Sequence, residues 1–191
     1  MNRPAFASAL ALSIALATAA AAAPAPAAWI VDKAGSGLRF TSSMAGESFT
    51  GVFRRWDAAI RFDPANLAAS SVAADIDVAS AVTGNADRDQ ALPTATFFDA
   101  PAHPHATFVA HGFRAVGPGR YVADGVLTLR GVAKPLTLPF TLAITGAQAR
   151  MTGAVAINRL AFGVGQGEWQ AVDAIPASVT VSIAISARRA P

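Results

Sequence analysis

The stretch Asp124-Gly-Val-Leu-Thr-Leu-Arg-Gly-Val-Ala-Lys134, running on into Leu136-Thr-Leu-Pro-Phe-Thr-Leu-Ala-Ile144, decides how this chain folds. In its second half, Leu136, Leu138, Phe140, Leu142 and Ile144 alternate with Thr137, Pro139, Thr141 and Ala143. A period of two marks a strand with one buried face and one wet face. Pro139 cannot donate a ladder hydrogen bond, so an edge or a bulge is expected there. In the first half, Ala123, Gly125, Leu127 and Leu129 share a face. Small residues followed by large ones suit a tapering barrel interior, wide beside Gly125 and narrow beside the leucines.

Working outward, most of the chain reads the same way. Short strands are expected at Trp29–Lys33 and Gly37–Ser42, broken by a turn at Gly35-Ser-Gly37. Phe49, Gly51 and Phe53 alternate with polar neighbours, as do Trp56, Ala58, Ile60 and Phe62. Val72, Ala74, Ile76 and Val78 face one way and Asp75 and Asp77 the other. Gly117-Pro-Gly119 makes a hairpin tip between two long strands, and Met151–Asn158 and Val179–Ala187 complete the set. About eight strands result, the number at which a barrel is just wide enough to hold a small ligand. The polar segment Gly84–Leu92, ended by Pro93, reads as a short helix across one mouth. The fold class is therefore all-β, an eight-stranded antiparallel lipocalin-like barrel. Two packed sheets are the alternative that alternation alone leaves open.

The N-terminus opens with Met1-Asn-Arg3, an apolar run from Ala5 to Leu16, and an alanine-rich zone to Ala23. That order reads as a secretory signal peptide over residues 1–23. Residues 24–28 form a flexible Pro/Ala leader, and residues 29–189 form one domain. The chain is therefore expected to be exported. There is no cysteine, hence neither a disulfide framework nor an acylated lipoprotein cysteine. The net charge is only +3, and basic residues adjoin only at Arg54-Arg55 and Arg188-Arg189. Nucleic-acid binding, which needs several phosphates neutralised together, is not expected.

Eleven phenylalanines and three tryptophans against one tyrosine make an aromatic surface almost without hydroxyls. Phe40, Phe53, Phe62, Phe98, Phe108, Phe140 and Phe162 fall on faces assigned inward. Such residues either fill a barrel or line a hollow one, and their pattern does not choose.

Several segments, in order, resemble the YceI-like family. They are Trp29-Ile-Val-Asp32, Ser36-Gly-Leu-Arg-Phe40, Gly51-Val-Phe53 and Ile60-Arg-Phe-Asp-Pro64, then the central stretch, then Asn158-Arg-Leu-Ala-Phe-Gly163 and Val179–Ile185. The resemblance implies a periplasmic barrel kept hollow around a polyisoprenoid, such as a prenyl pyrophosphate or quinone, or another long-chain lipid. Ile60, Gly125, Leu127, Leu129, Leu138, Ile157 and Trp169 join the phenylalanines as candidate wall residues. No cofactor is implied beyond the lipid. The partners are that lipid, transient membrane contact, and a homodimer that an edge at Pro139 could support.

A head group would need polar residues at the mouth, and Arg159 and Asp89 are the candidates, with Arg88, Arg39 and Arg130 behind them. Arg159 could instead pair with a carboxylate that pins the helix and loop over the barrel. The run Gly163-Val-Gly-Gln-Gly167 has the wrong spacing for a dinucleotide site and reads as a loop to Trp169.

No metal site is expected. On one continuous strand, His105 and His111 would stand ~20 Å apart. Catalysis is not expected either. The chain lacks a cysteine nucleophile and a Gly-x-Ser-x-Gly elbow, and the pair Asp75/Asp77 lies on the face opposite the apolar one. A filled structural or interaction barrel is the competing reading.

Overall fold

A computed structural model describes residues 25–191. The expected signal peptide lies outside the described residues. Ten strand segments form one antiparallel sheet. They are β1 (Ala28–Met44), β2 (Glu47–Phe53), β3 (Trp56–Arg61), β4 (Ser71–Asp77), β5 (Ala81–Val82), β6 (His105–Gly117), β7 (Arg120–Leu129), β8 (Val132–Thr145), β9 (Gln148–Asn158) and β10 (Ser178–Arg189). The sheet closes because β10 pairs with β1 from Trp29↔Arg189 to Thr41↔Thr180. Closure excludes the two-sheet alternative.

Eight strands make the wall, because β2–β3 and β4–β5 are each one strand broken midway. Their register is nearly continuous across the breaks: β3 pairs with β4, and β2 with β5. Ser80 knits the two breaks together. Its hydroxyl accepts from the Arg55 amide at 3.0 Å and donates to the Asp77 carbonyl at 2.7 Å, while Arg55 pairs with Asp77 at 2.7 Å.

Where the alternation was plainest, the register is as read. Leu136, Leu138, Phe140 and Leu142 face the interior, and Thr137 and Thr141 are exposed. The β8–β9 ladder begins only at Phe140↔Gly153, immediately past Pro139, which has no N–H to offer. Arg130 and Gly131, at φ of 50° and 72°, make the tight turn between β7 and β8.

Two irregularities change which residues face inward. The first corrects the expected pair of short strands: β1 is one strand with a bulge between Asp32 and Gly37. The bulge adds an odd number of residues against β10. Inward parity therefore passes from Trp29 to Leu38, Phe40 and Ser42. A second bulge, between Ala110 and Gly112 in β6, carries the inward side from Phe108 and Ala110 to Phe113.

Two apolar clusters cap the interior. At the lower end, Phe62 meets Phe113, Tyr121 and Phe140 at ring-centroid distances of 5.4, 5.4 and 5.9 Å. At the upper end, Phe40, Phe98, Leu129, Phe162 and Val164 gather under the irregular segments. The expected helix is present as α1 (Ala86–Ala91), capped by Asn85. It sits on the upper rim, and the chain after it, carrying Leu92, Phe97 and Phe98, reaches over the interior.

Candidate functional site

Between the clusters lies a continuous cavity of about 300 Å³, within the range of small-molecule pockets. Every strand except the two-residue β5 contributes to its wall. Every lining residue is apolar except Ser42 and Arg159. No alternating strand pattern announces an internal polar group, so the wall is dry by composition.

Of the sequence-derived wall candidates, Phe40, Phe53, Ile60, Phe62, Phe98, Phe108, Leu127, Leu129, Leu138, Phe140 and Ile157 line this cavity. Three do not. Gly125 points inward, but its neighbour across the ladder covers it: an added Cβ would meet the Phe108 ring at 2.9 Å, Ala110 at 2.9 Å and the Val109 carbonyl. The barrel is therefore not wide beside Gly125. Phe162 is buried behind the wall in the upper cluster. Trp169 packs against the outer side of Phe97, ring centroids 5.9 Å apart.

Several wall residues were not singled out. The alternation that turns Ile60 inward also turns Trp56 and Ala58, and that which turns Phe53 inward also turns Phe49. Phe97, Val164 and Ile175 come from irregular segments, where no period reports orientation.

Arg159 follows β9 in a single 3-10 turn, Arg159–Phe162, capped by the Asn158 side chain on the Leu160 amide at 3.0 Å. Its side chain is 4% exposed. No carboxylate meets it, contrary to the ion-pair expectation. Instead its guanidinium donates to the carbonyls of Pro176 at 3.0 Å, Val164 at 2.9 Å and Ile175 at 2.7 Å. A planar fork with fixed donors suits three converging carbonyls. Burial pulls its pKa down from the usual guanidinium range. The three bonds fasten the loop from Gly163 to Ala177 over the upper end.

Asp89 is not brought to Arg159 or to the cavity. Its oxygens accept from the Thr83 amide at 2.6 Å, the Thr83 hydroxyl at 2.7 Å and the Gly84 amide at 3.3 Å. It anchors the turn that leads into α1. Arg88 lies over the Phe49 ring at 4.5 Å. Arg130 donates to the Ala95 carbonyl at 2.6 Å and tethers the loop before β6.

Ser42 was missed. It sits in the wall at the upper end, and its hydroxyl is buried without a protein partner. A buried orphan hydroxyl is uncommon, and this one belongs to a wall residue.

The histidines remain apart. His105 and Asp75 meet at 2.7 Å on the outer surface, a contact that sequence proximity did not suggest. His103 lies against the Gly131 turn. Among the described residues, no group of three His, Cys, Asp or Glu side chains is placed to hold a metal ion. Among the described residues, no helix is long and apolar enough to cross a membrane.

Comparison with known proteins adds a lineage to this geometry. A family model described as YceI-like domain matches residues 29–187. A UPF0312 protein of Pseudomonas savastanoi pv. phaseolicola is 34% identical over 118 residues, which are 60% of this chain and 62% of that protein. A UPF0312 protein of Vibrio cholerae is 34% identical over 115 residues, 59% of this chain and 61% of the relative. The matched region thus spans less than two thirds of these curated relatives. The crystal structure of Burkholderia cenocepacia BcnA superposes with a TM-score of 0.79 at 33% identity, covering 82% of this chain and 99% of that one. A polyisoprenoid binding domain from Saccharophagus degradans gives 0.65 at 17% identity, over 86% and 99% of the two chains. The last likeness, at that identity, speaks for the fold alone.

Proposed function

The chain belongs to the YceI-like family, and on that footing we propose that it holds a long apolar lipid, a polyisoprenoid or comparable chain, inside its barrel. The observation that carries this reading is the cavity wall, apolar throughout except for Ser42 and Arg159. Each buried methylene contributes about 0.8 kcal/mol, so ten would contribute about 8 kcal/mol before the costs of association. Binding on that scale needs no polar contact along the tail. The Saccharophagus degradans neighbour, described as a polyisoprenoid binding domain, shares the fold in which such a tail would sit.

In this reading the protein is a carrier that works in the periplasm, exported by the signal peptide expected over residues 1–23. It carries out no chemistry on its cargo. Ser42 has no base beside it, and Arg159 is committed to three carbonyls. The His105–Asp75 contact is on the outside of the wall.

Organic extraction and mass spectrometry of the protein, purified from a bacterial host, test the proposal. Stoichiometric recovery of a long-chain lipid is the expected result. Protein that yields no lipid, and that after delipidation takes up neither a prenol nor a fatty acid, would return the barrel to a purely structural or interaction role.

A further inference from the structure

The barrel wall has a lateral gap. β1 pairs with β3 at Ala28↔Arg61 and Trp29↔Ile60, and with β2 from Leu38↔Phe53 onward. Between these ladders, residues 30–37 of β1 have no partner on that edge. The cleft there is lined by Lys33, Ser36, Gly37, Leu38, Arg39, Val52, Phe53, Arg54, Arg55 and Trp56. Leu38, Phe53 and Trp56 line the lipid cavity as well. The cleft and the cavity therefore share a wall, greasy within and charged without.

The charge is of one sign. Four cations line the cleft and no carboxylate does. Lys33 reaches across the gap to the Trp56 carbonyl at 2.5 Å and to Asp57 at 2.9 Å, standing in for a missing ladder rung. Arg55 is paired with Asp77. Arg39 and Arg54 are exposed and have no ion-pair partner among the described residues. The register sets Arg39 opposite Val52, and Arg54 follows directly on Phe53, the last residue of β2, so that both line the same cleft. Two unpaired guanidinium groups on one cleft can take one anion between them.

We propose that this gap is the port through which the ligand's polar end leaves the barrel, and that Arg39 and Arg54 hold an anionic head group, a phosphate or diphosphate. The inference rests on the carrier reading above. The energetics favour this place over the sealed upper end. A multiply charged head beside Arg159 would lose its water and find a guanidinium already committed to three carbonyls, a large desolvation cost. At the gap the same head keeps its hydration, gains two cations, and leaves the tail inside.

The test is calorimetric titration of delipidated wild type and the R39Q/R54Q variant with geranylgeranyl diphosphate, geranylgeraniol and inorganic diphosphate. Both substituted side chains are exposed, so the variant should keep the wild-type circular dichroism and melting curve. Each exposed charge contact is worth up to about fivefold in affinity, so the variant should lose up to about 25-fold for the diphosphate lipid and nothing for the alcohol. The wild-type preference should shrink as salt is raised.

The port is overturned if both lipids bind the variant as they bind the wild type. It is overturned equally if selectivity for the diphosphate is lost in Ser42→Ala instead, which would put the head at the upper end. Inorganic diphosphate binding as tightly as the lipid would make the cleft an anion site unconnected with the cavity. Failure of the wild type to bind either lipid would fell the carrier reading itself.

Discussion

Replacing Ala74 by phenylalanine should stabilise the empty barrel while expelling its lipid. Ala74 lies on the cavity wall, and its row across the sheet runs Ala58, Ala74, Phe108, Leu127. A ring at position 74 would project from the alanine side of that row into the open space. A buried aromatic side chain covers ~150–250 Å², and subtracting the displaced methyl leaves about 100 Å² of new apolar burial. At about 25 cal/mol/Å² that is about 2.5 kcal/mol. Ordering the side chain takes back about 0.5–1 kcal/mol. The net gain of about 1.5–2 kcal/mol corresponds to about 3–8 °C in Tm for a chain of this size.

A packed interior reverses the sign. Overpacking costs about 1–3 kcal/mol, and Tm would fall by a similar interval. The melt must be measured on delipidated protein, because bound lipid stabilises the wild type by mass action and would mask the gain. Lipid content after purification is the paired readout. A lowered Tm in the delipidated variant, or wild-type lipid content in the variant, refutes the reasoning. Gly125 cannot serve as the site of such a plug, since Phe108 already lies over it.

Three other outcomes are expected. Arg159→Met should cost about 3–5 kcal/mol in urea unfolding, since it strands three carbonyls, and Arg159→Lys should recover part of it; a loss under about 1 kcal/mol would show that the loop is held otherwise. Gly51→Ala should cost about 1–3 kcal/mol, because the new methyl falls on the Phe40 ring and must drive it into the cavity; an unchanged denaturation midpoint would contradict that contact. Burial pushes the Asp89 carboxyl up, but hydrogen bonds from Thr83 and Gly84 outweigh it and hold the pKa below its usual value. A depressed pKa stabilises above the unfolded value and is lost as pH falls through the folded one, so the α1 rim should loosen only below about pH 4. Amide NMR shifts of Ala86–Ala91 followed down in pH should show that loosening in the wild type and a flatter response in Asp89→Asn; identical curves would rule Asp89 out as its source.

The parts of this fold that were legible are those where period and packing agree. Leu136, Leu138, Phe140 and Leu142 declare their face because each is flanked by a polar or small residue. β1 hid its continuity because Lys33–Ser36 bulges out and flips the parity between Trp29 and Leu38. β6 hid the inward turn of Phe113 for the same reason. Parity also says nothing about cover, so Gly125 was placed on the right face and yet is shielded by Phe108. The site was harder still. Arg159 stood out by its setting, but backbone carbonyls carry no signature in a sequence, and the partners that could be named were a head group or a carboxylate. Ser42 was invisible because a lone serine in a strand is ordinary until its hydroxyl is found buried with no partner.

Closure at both ends makes the route of lipid exchange a question of which seal opens most cheaply. The lower seal is a set of interlocked rings on strands with well-formed ladders, so opening it means breaking the sheet. The upper seal is irregular chain. Beyond Arg159 it hangs on few backbone bonds, Gly165 and Gln166 to the Thr96 carbonyl and Ala45 to Ala174. Segments held by few ladder bonds and little buried area open at the lowest free energy. In the carrier reading proposed above, the upper cap would be the door for a whole tail, with Arg159 setting how tightly it shuts. The β1 gap, spanned by the Lys33 side chain and by no ladder bond, asks for a smaller opening and suits a head group better than a tail. A barrel with one latched door and one lateral port would keep a charged end in water while its tail stays dry, which a cup open at one end achieves only by placing the head at the rim.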